Sequence, residues 1–335
     1  MFFEKLLEWY RLNKADLPWR GTRDPYKIWV SEIMLQQTRI EAVRPKYAAF
    51  IDRYPTVFDL ANAPLSDVLK SWEGMGYYSR AKNLHKTAQI VANELHGNFP
   101  TMAAELQKLP GIGNYTSKAI ASMAFGQKEI CVDGNLVRVY CRLTMDDRQP
   151  KDPPLFRDAE AFFNERCASS GAGDFNQALM ELGENVCLPK GDPKCLSCPL
   201  REWCRAFQTN KQTEFPVAAV KKAKPTQRMT VFVIRHGEFL ALRQRPEKGL
   251  LANLYELPNV PEWLHKEKIK AMYPGSRVRY LGKHSHEFSH LIWEMQGYLV
   301  EITDQIDLEG VVWVEPKERE EGFAVPTAFK YFLDE

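Results

Sequence analysis

The chain has 335 residues, more than one hydrophobic core usually organises, so two domains are expected and three is the upper bound. Hydrophobic residues make up 44% and charged residues 26%, a globular composition that excludes a disordered or fibrous protein. The formal net charge is only +2, and Glu4, Lys5 and Glu8 interrupt the N-terminal stretch, so neither a signal peptide nor a membrane span is expected and the predicted location is cytoplasmic.

Residues 1–210 read as an all-helical region. The segment from Trp29 to Thr38 is mostly apolar with Glu32 in its middle. A carboxylate on a buried helical face holds its proton to higher pH and serves as a general acid, whereas an exposed helix charge is the plainer account. Further on, Ala81, Leu84, Ala88, Val91 and Leu95 recur at three- and four-residue spacing, an amphipathic helix. Leu109-Pro110-Gly111-Ile112-Gly113 then marks a helix end, a glycine turn and a new helix, whose clustered N–H groups suit a phosphate. Asp133 and Asn135 stand where either would cap the following helix, and capping alone would account for Asp133. Taken together, one protonated acid and one ionised carboxylate form the pair that cleaves glycosidic bonds through an oxocarbenium-like state.

Seven cysteines in a reducing compartment favour metal ligation over disulfides. Cys187, Cys195, Cys198 and Cys204 follow a C-x7-C-x2-C-x5-C spacing. Four thiolates on one loop call for a thiophilic centre, either zinc or a cubane iron-sulfur cluster. Cys131, Cys141 and Cys167 read as core residues.

Residues 211–228 carry five basic side chains against one acidic and read as a basic linker. Over 229–335 the pattern changes to alternation: MTVFVI and FLALRQ form a hairpin around RHGE, VRYLGK, LIWEMQGYLVEI and GVVWVE are further strands, and TAFKYFL closes as a helix. The expected architecture is an all-α domain, a linker and a small α+β domain.

Several segments resemble the adenine DNA glycosylase (MutY) family of helix-hairpin-helix glycosylases. They are LPWR (17–20), PYKIWVSEIMLQQTR (25–39), WEGMGYYSRAKNLH (72–85), LPGIGNYTSKA (109–119), VDGNLVRV (132–139), FNQALMELG (175–183), GLLANLYELP (249–258) and HEFSH (286–290), with the cysteine loop. The resemblance implies a monomeric, base-flipping repair enzyme, nucleoid-associated in a bacterium, that acts on double-stranded DNA with adenine opposite 8-oxoguanine or guanine. It divides residues 1–210 into a six-helix module over about 24–134 and an iron-sulfur module of 1–23 with 135–210, and makes 229–335 a Nudix-like domain that reads 8-oxoguanine.

By the same resemblance Glu32 is the catalytic acid, Asp133 the carboxylate facing the sugar cation and Tyr115 an assisting residue. Trp19, Arg20 and Gln177 fall in the adenine pocket, while Leu35, Gln37 and Tyr77 enter the duplex. Gly111 and Gly113 belong to the hairpin, Phe288, Ser289 and His290 to the lesion-reading loop, and the four clustered cysteines hold a [4Fe-4S] cluster. Lyase relatives carry a lysine where Tyr115 stands, and Lys118 is one helical turn away, so strand cleavage is not expected. No acidic helix follows GLLANLYELP, which argues against nucleotide hydrolysis. Two departures stand out: the x7 interval, with Gly191-Asp192-Pro193 absorbing one residue, and Glu184-Asn185 where small or apolar residues are usual.

Overall fold

The computed structural model describes residues 1–150, 152–218, 223–304 and 308–333. The chain divides into two compact units, Met1–Ala61 with Lys86–Lys221, and Asn62–His85 with Lys222–Glu335.

The first unit is helical. Its N-terminal helix, Phe2–Asn13, turns Phe2, Leu6, Leu7 and Tyr10 inward at helical spacing, against a core that contains Leu136, Phe163, Phe175 and Leu179. The helix Pro25–Leu35 starts where Asp24 accepts a hydrogen bond from the Tyr26 N–H (2.9 Å) and Pro25 supplies a preset φ. Every residue from Ile28 to Met34 is buried, so this helix has almost no solvent face and carries Glu32 inside. Apolar side chains on all sides, rather than a stripe, put the carboxylate there.

A short helix, Ala103–Leu106, leads into the glycine turn and then into Asn114–Phe125. Gly111 has φ +75°, a left-handed conformation that costs glycine nothing and other residues roughly 1 kcal/mol or more. The helix Gly134–Thr144 begins at Asp133, whose Oδ1 accepts from the Leu136 N–H (2.9 Å). Against this start lies the end of Ala172–Asn185. A Cβ on Gly183 would fall 2.7 Å from the Asn135 Cβ, so the glycine sets how closely the two backbones approach.

The second unit is built on a mixed sheet: β1 (Thr226–His236), β2 (Phe239–Gln244), β3 (Tyr255–Glu256), β4 (Asn259–Val260), β5 (Arg277–Glu287), β6 (Ile292–Glu301) and β7 (Val311–Val314). The strand order is β3-β2-β1-β6-β5, with β4 paired to β1 and β7 to β2. β1 and β2 form the expected hairpin, closed by Gly237 and Glu238. β1 begins inside the segment read as linker: Thr226–Arg228 already pair in parallel with Ile292–Glu294, because the β6 edge satisfies their backbone groups. Alternation along β1 sends Val231 and Val233 to one face with Phe329 and Phe332, and Phe232 and Ile234 to the other with Ile269 and Tyr273.

Helix Thr327–Leu333 therefore covers one face of the sheet and Lys266–Met272 the other. Gly297 on β6 lets the first approach: a Cβ there would stand 2.3 Å from Phe332. The segment Asn62–His85 joins this unit through side chains, with Glu73 pairing with Lys70 (2.7 Å) and Lys330 (3.1 Å), and Lys82 donating to Asn253 (2.7 Å). Among the described residues no helix is long and apolar enough to cross a membrane.

Candidate active site

A cavity of about 780 Å³ opens within the helical unit. Glu32, Tyr115 and Asp133 line it together with Trp19, Arg20, Leu35, Gln37, Gly111 and Gly113, nine of the residues singled out from the sequence. Glu32 retains only 6% of its surface, and burial pushes its carboxyl above the ordinary range, while the Tyr115 hydroxyl and Arg20 pull in the other direction. The carboxyl therefore keeps its proton to a higher pH than an exposed one would. Tyr115 lies beside that carboxyl, is pushed far above the usual phenol range by burial and the nearby Glu32, and stays protonated; its hydroxyl also reaches Met180 Sδ (3.6 Å).

Asp133 is also raised by burial, but its carboxylate is opposed by the bonds that make it a cap, from the Leu136 N–H (2.9 Å) and the Asn135 side-chain amide (3.0 Å), and by Arg138. The donors that cap the helix thus work against the shift that burial imposes on Asp133.

Trp19 is buried edge-on against Tyr47 (5.3 Å between centroids). Gln177, assigned to the pocket from the sequence, is not among the lining residues but joins one of them: its Oε1 accepts from Arg20 and from the Tyr10 hydroxyl (3.1 Å). One turn on, buried Glu181 accepts from the Ala15 N–H (2.5 Å) and lies 4.0 Å from Arg20. Gln37 has φ +57° and Tyr77, in the second unit, φ +47° with 45% of its surface exposed. Non-glycine residues held there cost about 1–3 kcal/mol and gather at functional sites.

Sequence reasoning missed Tyr10, Glu181, Met180 and the role of Glu184, which lines the cavity. Gln177, Glu181 and Glu184 follow i, i+4, i+7 spacing on the helix Ala172–Asn185, a signal of one shared face. Burial and the carboxylates of Glu41 and Glu181 raise the Glu184 carboxyl. Lys118 faces elsewhere, ion-paired with Glu160 and Glu129.

The four clustered cysteines line one small cavity with Arg142, Arg201 and Gln212. Arg142 Nη1 donates to Cys187 Sγ (3.1 Å), a bond that suits a thiolate, and burial pushes the Cys198 thiol up to about 12. Among the described residues no three His, Cys, Asp or Glu side chains are arranged to share a single metal ion. Cys131, Cys141 and Cys167 are buried.

In the second unit, Phe288 is half-buried against Trp293 (4.8 Å) and His286 (4.6 Å), while Ser289 and His290 are exposed beside it. Lys224 donates to the Phe288 carbonyl and to Glu287, each at 2.7 Å. Tyr77 and Lys82 share a cavity of about 450 Å³ with this loop.

Residues 30–165 match the HhH-GPD superfamily of base excision DNA repair proteins, and 230–335 match the NUDIX domain. Adenine DNA glycosylase of Homo sapiens is 34% identical over 98% of this chain and 72% of its own length. That of Buchnera aphidicola (subsp. Baizongia pistaciae) is 34% identical over 87% and 83%. Among solved structures, a thermostable thymine-DNA glycosylase superposes with a TM-score of 0.56 at 31% identity, over 62% of this chain and 95% of its own. An all-helical base-excision domain with two carboxylates in one cavity, a Nudix-like domain following it in the sequence, and relatives alike over nearly the whole length together show that the chain belongs to the adenine DNA glycosylase family.

Proposed function

We propose that the protein removes adenine standing opposite 8-oxoguanine or guanine in double-stranded DNA and leaves an abasic site. The observation that carries this reading is Glu32: a carboxyl buried in the wall of a cavity that also contains Asp133, where burial raises its hold on a proton. Glu32 passes its proton to a ring nitrogen of the flipped base, the bond from C1′ to the base breaks with its electron pair leaving on adenine, and Asp133 faces the sugar cation. Water adds at C1′ and its proton restores Glu32. Tyr115 holds the Glu32 carboxyl in place.

Leu35, Gln37 and Tyr77 fill the space that the base leaves, which offsets an unstacking cost of a few kcal/mol; the strained backbones of Gln37 and Tyr77 support that use. Gly111 and Gly113 bring the hairpin N–H groups to a backbone phosphate. Phe288 anchors the loop on which Ser289 and His290 read the opposing 8-oxoguanine. Cys187, Cys195, Cys198 and Cys204 fit a [4Fe-4S] cluster: their donor set is soft, they line one cavity, and Arg142 compensates charge. Such a cluster, when bound, cross-links the loop and supplies one-electron chemistry, and no step of base removal passes through it. With Lys118 engaged by two carboxylates, no amine is free at the hairpin to form a Schiff base, so the enzyme is monofunctional.

The test is incubation with a duplex bearing a single A opposite 8-oxoguanine, with and without alkali afterwards. Cleavage only after alkali is expected; an intact strand after alkali overturns the reading.

A further inference from the structure

Gln177 carries an amide whose two ends are chemically opposite, and its two partners, one of them the cavity-lining Arg20, decide which end is left for a ligand. Its Oε1 accepts from Arg20 Nη1 and from the Tyr10 hydroxyl (3.1 Å). Arginine has no acceptor, so an amide beside the guanidinium must present oxygen to it, and the assignment does not depend on choosing between two look-alike orientations. With oxygen fixed there, the phenol must be the donor. Tyr10 retains 4% of its surface, and burial pushes its hydroxyl above the usual phenol range, so it keeps the proton that it donates.

Oε1 thereby accepts two hydrogen bonds, and among the described residues Nε2 of Gln177 donates to none. Glu181 Oε2 lies 4.0 Å from Arg20 Nη2, and its other oxygen accepts from the Ala15 N–H. We propose that Tyr10 is a positioning residue for base recognition: together with Arg20 it locks the Gln177 amide so that the side chain offers the flipped base a donor. The inference rests on the adenine-excision reading above. It makes the N-terminal helix Phe2–Asn13 part of the recognition machinery, although Tyr10 lies behind the wall and never touches the base.

A ring nitrogen bearing a lone pair is then the feature that the site rewards at this point, and the reward depends on the lock. Without the Tyr10 hydroxyl the amide is held by Arg20 alone, and the donor is correctly placed for a smaller fraction of the time.

The test is a double-mutant cycle on the full-length protein: wild type, Tyr10→Phe, Gln177→Ala and the double variant. Single-turnover excision of A opposite 8-oxoguanine, duplex affinity and thermal melting are measured, with the assay below every melting point. Tyr10→Phe is expected to slow excision about three- to tenfold with affinity unchanged, the worth of one neutral hydrogen bond. In the Gln177→Ala background the same change should have no further effect on rate. Losses that multiply in the double variant would mean that Tyr10 only packs the helix, and would overturn the proposal. A wild-type protein that removes no adenine breaks the functional reading instead, so the two failures are distinct.

Discussion

The helical unit and the strand-bearing unit place their polar groups in opposite ways. In the first, Glu32 and Tyr115 are withdrawn from water far enough that each holds its proton more tightly. In the second, Ser289 and His290 stand exposed on a loop anchored by a half-buried Phe288. Bond breaking needs an acid that water cannot neutralise, whereas reading a base edge needs donors and acceptors that the base can reach. On the proposed function, burial serves chemistry in one unit and exposure serves recognition in the other.

The sharpest way to break that comparison is Glu32→Gln. Excision should fall by at least about 10³-fold while mispair binding is kept, because the amide fills the same space without a transferable proton. The variant should also melt higher than wild type, and more so at pH 8 than at pH 5. A carboxyl raised by burial is comfortable when protonated and destabilises the fold as pH rises through its raised value, and glutamine removes that cost. Single-turnover excision near the wild-type rate would end the assignment.

Asp133→Asn should cost about 10² to 10³-fold in the single-turnover rate, since the sugar cation loses its facing charge while the cap survives through the amide oxygen. With both carboxylates intact, the pH-rate profile should be a bell. Activity is lost at high pH as Glu32 gives up its proton and at low pH as Asp133 takes one. A flat profile would mean that these two groups do not set the rate.

Smaller effects are expected from the other unit. Ser289→Ala should leave excision of A opposite guanine unchanged and reduce the preference for A opposite 8-oxoguanine by about tenfold, from one hydroxyl that accepts from the N7–H of the oxidised base. An unaltered ratio of the two rates would place lesion reading in the helical unit. Gly297→Ala should cost about 1–3 kcal/mol in denaturant unfolding, because the new methyl meets Phe332 within the core. A neutral result would mean that the helix Thr327–Leu333 slides freely on the sheet.

Much of this was legible before any coordinates. The apolar run around Glu32 left a buried acid and an exposed helix charge both open, and the residue is buried because every residue from Ile28 to Met34 is. The hairpin of β1 and β2 followed from alternation around a glycine turn. What sequence could not supply came from contacts distant in the chain. Tyr10 and Gln177 are 167 positions apart, and nothing local to either states that they meet. The parallel pairing of β1 with β6 is of the same kind, as is Glu73 with Lys330. Glu184 stood out only as an unusual residue, and its place in the cavity wall required the helix to be seen against Asp133.

The pairing of Glu73 with Lys70 and Lys330, and of Lys82 with Asn253, has a consequence for anyone who would exchange parts between relatives. A graft made at the basic stretch 211–228 looks like a clean cut along the chain, yet it would set a foreign C-terminal part against an unchanged Asn62–His85. Four charged or amide partners would then have to be matched again from both sides. The transplantable piece is discontinuous: the C-terminal part travels intact only if the Tyr77-bearing segment travels with it.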